Sequence, residues 1–320
     1  MRALAGKSAS WFVDGMMCNM MNAIQWRRRE DASTRDALAI YLEETSRLSR
    51  EEYFRVKPAV RPMVKKTLIE WDTPHPTIHP ENNRARVLFF PAPTMNAPVV
   101  LILHALMSAS DIGYRRLAAW FNDMGWSVAF PHLPYHYSRT PRRHWNGELA
   151  ITADLVRNAE GIRQGVVELR QLMMLLRTCG VKEFGLIGTS YGGWTGGLLS
   201  LLEKDFRFVA LVQPIINTDK AIWENPGARV MRRKLRSLGH QRGNTSPFDH
   251  LVSALRGYPL CDPSKIIITA GLYDRISPIE DLECLAQKWQ GARLITVPQG
   301  HFGYRALRET INHLSPSLVA

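Results

Sequence analysis

Two rhythms of apolar residues divide the chain. Residues 1–60 follow a helical spacing, broken by charged stretches such as YLEETSRLSREEYFR. From residue 64 short apolar runs alternate with helical patterns. The runs VKKTLIEW (64–71), RVLFF (86–90), VVLILHAL (99–106), WSVAF (126–130), FGLIG (184–188), RFVALVQ (207–213), KIIITAG (265–271) and RLITV (293–297) predict eight strands. Several are nearly unbroken apolar runs, as befits strands covered on both faces. Between Asn158 and Arg177, Ile162, Val166, Leu169, Met173 and Leu176 mark one face of a helix. Helices between the later strands point to an α/β fold with a mainly parallel sheet flanked by helices. The expected organisation is a helical extension over 1–60 and an α/β domain over 61–320. Inserts at about 134–157 and 216–262 are longer than such units need, and their place beyond strand ends suits a cap over a pocket.

The N-terminal stretch WFVDGMMCNMMNAIQW (11–26) has Val13, Met16, Met17, Met20 and Ile24 on one helical stripe. It is short for a membrane span and carries Asp14. Arg27 to Arg29 follow it with no small-residue cleavage site between, which argues against a secretory signal. The stripe predicts a helix packed on the domain or against a partner. The sharper alternative is an interfacial helix whose arginines meet acidic headgroups, placing the protein at a membrane surface.

Composition changes this picture only through charge and cysteine. Apolar residues at 45% and charged residues at 22% are ordinary for a globular chain. Forty-one Lys plus Arg against 29 Asp plus Glu leave a net charge of +12, which favours anionic partners. No Lys/Arg tract is long enough for a nucleic-acid arm and no nucleic-acid motif is present, so nucleic acid is not an expected partner. Cys18, Cys179, Cys261 and Cys284 are far apart and form no CxxC, which points to a reducing, cytoplasmic setting.

The chemistry concentrates at three strand ends. Gly188-Thr189-Ser190-Tyr191-Gly192 fits G-x-S-x-G, with a predicted strand before it and a helix, YGGWTGGLLSLLE, after it. Small residues flank the serine because a sharp strand-to-helix turn brings backbones very close. Over about residues 64–312 the chain resembles the α/β-hydrolase superfamily, the serine esterase and lipase-like hydrolases. The resemblance demands an acid after a later strand and a histidine after the last one, in the order Ser, Asp or Glu, His. IIITAGLYDRISP supplies Asp274 and LITVPQGHFGY supplies His301. Asp262 precedes its strand and His313 lies in the terminal helix, so both are poorer matches.

The roles implied are Ser190 as nucleophile, His301 as base and Asp274 as the group that fixes the imidazole tautomer. The oxyanion is expected on the backbone N–H of Tyr191 and of Leu106, with Met107 as the alternative to Leu106. The second donor lies in LILHALMSAS, where the superfamily often has His-Gly; His104 matches, but Ala105 replaces the glycine and would be strained at a positive φ. His104 reads mainly as a loop buttress. With Tyr135 and Tyr137 it is also a candidate pocket residue, and Arg139, Arg142 and Arg143 are read mainly as a solvated face. His132, His136 and His144 raise a metal question that Pro131 and Pro134 answer, because they break any helix that would align the first two.

A serine at the elbow argues against epoxide hydrolase and haloalkane dehalogenase chemistry, which uses aspartate there, and against dienelactone hydrolases, which use cysteine. The resemblance therefore implies ester or thioester hydrolysis through an acyl-enzyme with no cofactor. The substrate expected is a small-molecule or lipid-like ester. An acyltransferase or small-peptide hydrolase could use the same triad, and a non-catalytic binding protein on this fold is the rival from another class.

Overall fold

Every strand that ends at a candidate site residue runs in the same direction. The computed structural model describes residues 2–27, 32–94, 96–245 and 248–319; Arg28 and Arg29 of the arginine triplet lie outside them. Nine strands form one sheet: β1 (Met63–Lys65), β2 (Leu68–Asp72), β3 (Arg84–Phe90), β4 (Val99–Leu103), β5 (Ser127–His132), β6 (Phe184–Thr189), β7 (Phe206–Val212), β8 (Ile266–Gly271) and β9 (Arg293–Val297). Their order is β1-β2-β3-β5-β4-β6-β7-β8-β9, antiparallel from β1 to the β3–β5 pair and parallel from β5 onward. The run VKKTLIEW, expected as one strand, is a hairpin. Lys65 pairs with Leu68 across a two-residue turn at Lys66 and Thr67, so eight expected strands become nine.

The helices are α1 (Arg2–Trp26), α2 (Arg35–Thr45), α3 (Arg50–Tyr53), α4 (Ile112–Asp123), α5 (Leu155–Thr178), α6 (Tyr191–Ser200), α7 (Thr218–Trp223), α8 (Arg229–Ser237), α9 (Asp249–Val252), α10 (Ile279–Lys288) and α11 (Arg305–Val319). They cover both faces of the sheet. On β4 the alternation is direct: Val99, Leu101 and Leu103 join the core under α5, α6 and α10, while Val100 and Ile102 join the core under α4 and α11. All five are buried, which is why the strand reads as an unbroken apolar run. The α5 stripe Ile162, Val166, Leu169, Met173 and Leu176 is buried throughout.

The first insert is tied down. Arg139, expected on a solvated face, is buried and makes a two-pronged ion pair with Glu168 of α5 at 2.5 and 2.9 Å. Its remaining contacts go to the carbonyls of His132 and Asn82. A guanidinium taken out of water needs acceptors such as these, which satisfy Nη1 and Nη2 while Nε is left unpaired among the described residues. The second insert carries α7, α8 and α9, and α8 packs against α1.

The docking of α1 inverts the expectation from its sequence. Trp11, Phe12, Val13, Met16 and Met20 point outward, and the buried positions are Asp14, Cys18, Asn22, Ile24 and Gln25. Two of the polar members face backbone groups of the domain: Asp14 accepts the His301 and Phe302 N–H groups, and Asn22 donates to the Pro226 carbonyl at 2.9 Å and accepts the Val230 N–H at 2.9 Å. Unpaired backbone groups on the domain reward polar side chains over apolar ones at this contact. Among the described residues no helix is long and apolar enough to cross a membrane.

Candidate active site

The carboxyl ends of β4, β6, β7, β8 and β9 meet at one edge of the sheet. Ser190 stands between β6 and α6 with φ +53° and ψ −110°, a conformation that L side chains rarely adopt. The glycines on each side permit the turn. A Cβ on Gly188 would lie 2.4 Å from the Gly192 carbonyl oxygen, and one on Gly192 would lie 2.3 Å from that of Leu103.

Ser190 Oγ lies 2.8 Å from His301 Nε2, and His301 Nδ1 lies 2.8 Å from Asp274 Oδ2. The three side chains come from loops after three different strands and form one continuous hydrogen-bonded chain. Asp274 is fixed from both sides: Oδ1 accepts the backbone N–H groups of Ile276 and Ser277 at 2.8 and 2.9 Å. Its Oδ2 also accepts from the side-chain amide of Gln213 at 2.6 Å. Gln213, just past β7, donates as well to the Gly300 carbonyl at 2.8 Å, and accepts from Gln299 at 2.9 Å. With Asp274 ionised, its carboxylate puts the proton of neutral His301 on Nδ1 and leaves Nε2 free to accept from Ser190.

Burial of the His301 ring opposes its charged form, but the Asp274 charge, the Asp274 hydrogen bond and the Asp14 charge outweigh it, so its pKa is raised. A base raised in this way takes a proton from a serine hydroxyl more readily.

The fold has solved relatives. No family model matches the chain. An acetyl xylan esterase from Paenibacillus sp. R4 superposes with a TM-score of 0.60 at 13% identity, covering 93% of this chain and 98% of its own. Acetyl xylan esterase 1 from Thermoanaerobacterium sp. JW/SL YS485 gives 0.56 at 14% identity over 94% and 98%. The α/β hydrolase GrgF from Penicillium sp. sh18 gives 0.54 at 15% over 80% and 98%. The chain has the α/β-hydrolase fold. Among curated proteins it is 24% identical over 247 residues to the uncharacterized protein Rv2627c of Mycobacterium tuberculosis, which covers 72% of this chain. A second strain's copy, MT2702, matches equally. The chain spans 58% of the length of these curated relatives.

The oxyanion donors expected from the sequence are backbone N–H groups directly after Ser190 and in the loop after β4. Tyr191 is the first residue of α6, so its N–H has no intrahelical acceptor. After β4, Ala105 donates its N–H to the Tyr114 hydroxyl at 3.0 Å. The positive φ of this loop falls on Met107, not on Ala105, so the strain expected at Ala105 does not arise. The Met107 N–H points to His136 Nε2 at 3.4 Å, whereas Leu106 N–H has no acceptor among the described residues.

His104 is fully buried, accepting the Leu133 N–H on Nε2 at 3.1 Å and facing the Ala105 carbonyl with Nδ1 at 3.0 Å. Tyr135 is buried in the main core, and Tyr137 packs its ring edge-on against His104. Among the described residues no cluster of His, Cys, Asp and Glu could hold a metal. Gln213 and Asp14 escaped the sequence reading, because neither belongs to a motif and both reach the site only through tertiary contact.

Proposed function

We propose that this chain is a serine hydrolase that cleaves a carboxylic ester or thioester through an acyl-enzyme. The observation that carries the reading is the unbroken hydrogen-bonded chain from Ser190 Oγ through His301 to Asp274 Oδ2. As the Ser190 oxygen attacks the carbonyl carbon, His301 Nε2 takes the hydroxyl proton. The Tyr191 and Leu106 N–H groups stabilise the resulting oxyanion. Collapse expels the alcohol or thiol, which takes the proton from His301. Water, deprotonated by His301, then attacks the acyl-serine, and the acid departs as the proton returns to Ser190. In this reading α1 and the α7–α9 segment form the cap.

Acetyl xylan esterases and an acylaminoacyl peptidase both stand among the structural neighbours, which supports hydrolysis of an acyl bond, and the outward apolar face of α1 favours an amphiphilic substrate. A fluorophosphonate probe tests the mechanism. Wild type should label and Ser190→Ala should not. Absence of wild-type labelling, or equal labelling of the variant, refutes covalent catalysis. Chain-length dependence across p-nitrophenyl esters then sets the acyl group, and acyl transfer to added alcohols would identify a transferase.

A further inference from the structure

We propose that Asp14 of α1 is a positioning residue for His301, holding the loop that carries this histidine from the side opposite Gln213; the proposal rests on the serine-hydrolase reading above. Asp14 is only 1% exposed, on a helix whose neighbouring apolar residues Phe12, Val13 and Met16 stay outside. A carboxylate is taken out of water only where donors replace its hydration. The donors here are the backbone N–H of His301, 2.9 Å from Oδ2, and the backbone N–H of Phe302, 3.1 Å from Oδ1. Residue 300 is glycine where the carboxylate passes: a Cβ there would lie 2.4 Å from Asp14 Oδ2. The far side of the loop is gripped by Gln213, which donates to the Gly300 carbonyl, and by Gln299, which accepts the Ala306 N–H. His301 thus stands between two clamps, and one of them comes from 287 residues away in the chain.

The second clamp also carries charge. The charged and titratable groups around it are Asp274 and Arg275 from the loop after β8, Cys18 from α1, and His301 itself. Burial raises the Asp14 carboxyl above its usual range, against the lowering effect of its two backbone hydrogen bonds. When ionised, Asp14 adds to Asp274 in favouring the imidazolium of His301. Docking of α1 therefore does two things: it fixes the base in place and raises its basicity.

Asp14→Asn keeps the shape and removes the charge and one acceptor. With p-nitrophenyl acetate as probe, kcat should fall about 10- to 100-fold with KM unchanged, the size expected when a supporting contact lets a base drift. The acid limb of kcat/KM should move to lower pH, because the imidazolium loses a stabilising neighbour. NMR titration of the His301 imidazole should show the same downward shift without reference to activity. An unchanged imidazole titration overturns the proposal, as does a loss of kcat without movement of the pH profile. If Asp14→Asn does not fold, the wild-type His301 and Phe302 amide resonances serve instead. They should titrate together with the Asp14 carboxyl, and independent behaviour refutes the contact. If wild type neither labels nor hydrolyses esters, the hydrolase reading falls, while the NMR titrations still decide whether Asp14 tunes His301.

Discussion

Buried histidines lie in three loops at the carboxyl end of the same sheet, and under the same pressure from burial their pKa values move in opposite directions. His104 and His136, in the loops after β4 and β5, are fully enclosed; His301, after β9, is nearly so. Burial alone pushes an imidazole toward its neutral form. At His136 burial comes first and outweighs the raising effect of its backbone hydrogen bonds, the Arg139 guanidinium adds to it, and the pKa is pushed down to about 4. His104 is likewise lowered by burial and by the neighbouring His136 and His132. At His301 two carboxylates, Asp274 and Asp14, overcome the same burial and raise the pKa. The sign of the local charge, not the depth of burial, separates a structural imidazole from one able to act as a base.

The comparison breaks most visibly at Asp274. Asp274→Asn should lower kcat/KM for ester cleavage by about 10⁴-fold, because the histidine loses its enforced tautomer and its counter-charge. The residual acid limb should move to lower pH, in the direction that brings His301 closer to His136. Steady-state rates from pH 5 to 9 decide this. An acid limb at the wild-type position would mean that Asp274 does not set the basicity of His301.

Stability against pH sharpens the other side. His136 has a folded pKa of about 4, below the usual unfolded value near 6.5, so its neutral burial stabilises fully above that value. Between pH 6.5 and 4 the unfolded state binds more protons, and about 3 kcal/mol is lost as pH falls. His301 has the reverse sign: its contribution is complete below the unfolded value and is lost as pH rises through its raised folded pKa. Urea unfolding of wild type and His136→Gln across pH 4–8 should show a shallower acid slope in the variant. Equal slopes would exclude His136 as a source of acid lability.

The smallest effect is expected on the outward face of α1. Replacing exposed Phe12 and Met16 together by serine should change stability by no more than about 0.5 kcal/mol, since neither packs on the domain. Asn22→Ala, on the inward face, should cost about 1–3 kcal/mol by leaving the Pro226 and Val230 backbone groups unpaired. If the outward face contacts acidic lipid, the double serine variant should sediment less with anionic vesicles than wild type. Equal sedimentation removes the membrane reading.

Much of the site was legible because motif and register agree. Glycines 188 and 192 announce a turn that no larger side chain allows, and the apolar runs before Ser190, Asp274 and His301 place all three at strand ends. The rest was not legible, for reasons visible in particular residues. Arg139 reads as a solvated charge until Glu168, on α5, is brought against it. The run at 64–71 reads as one strand because no Gly, Pro, Asn or Asp marks a turn within it, and only the pairing of Lys65 with Leu68 shows a hairpin.

The sequence by itself determined an α/β sheet, a serine at a constrained elbow, and an acid and a histidine after later strands in the required order. These follow from local sterics and from periodicity, which need no distant contact. Tertiary structure alone decided which face of α1 is buried, what fixes Asp274, and which backbone holds His301. Those outcomes depend on unpaired N–H and C=O groups presented by remote segments, and nothing in a local pattern records where such groups will come to lie.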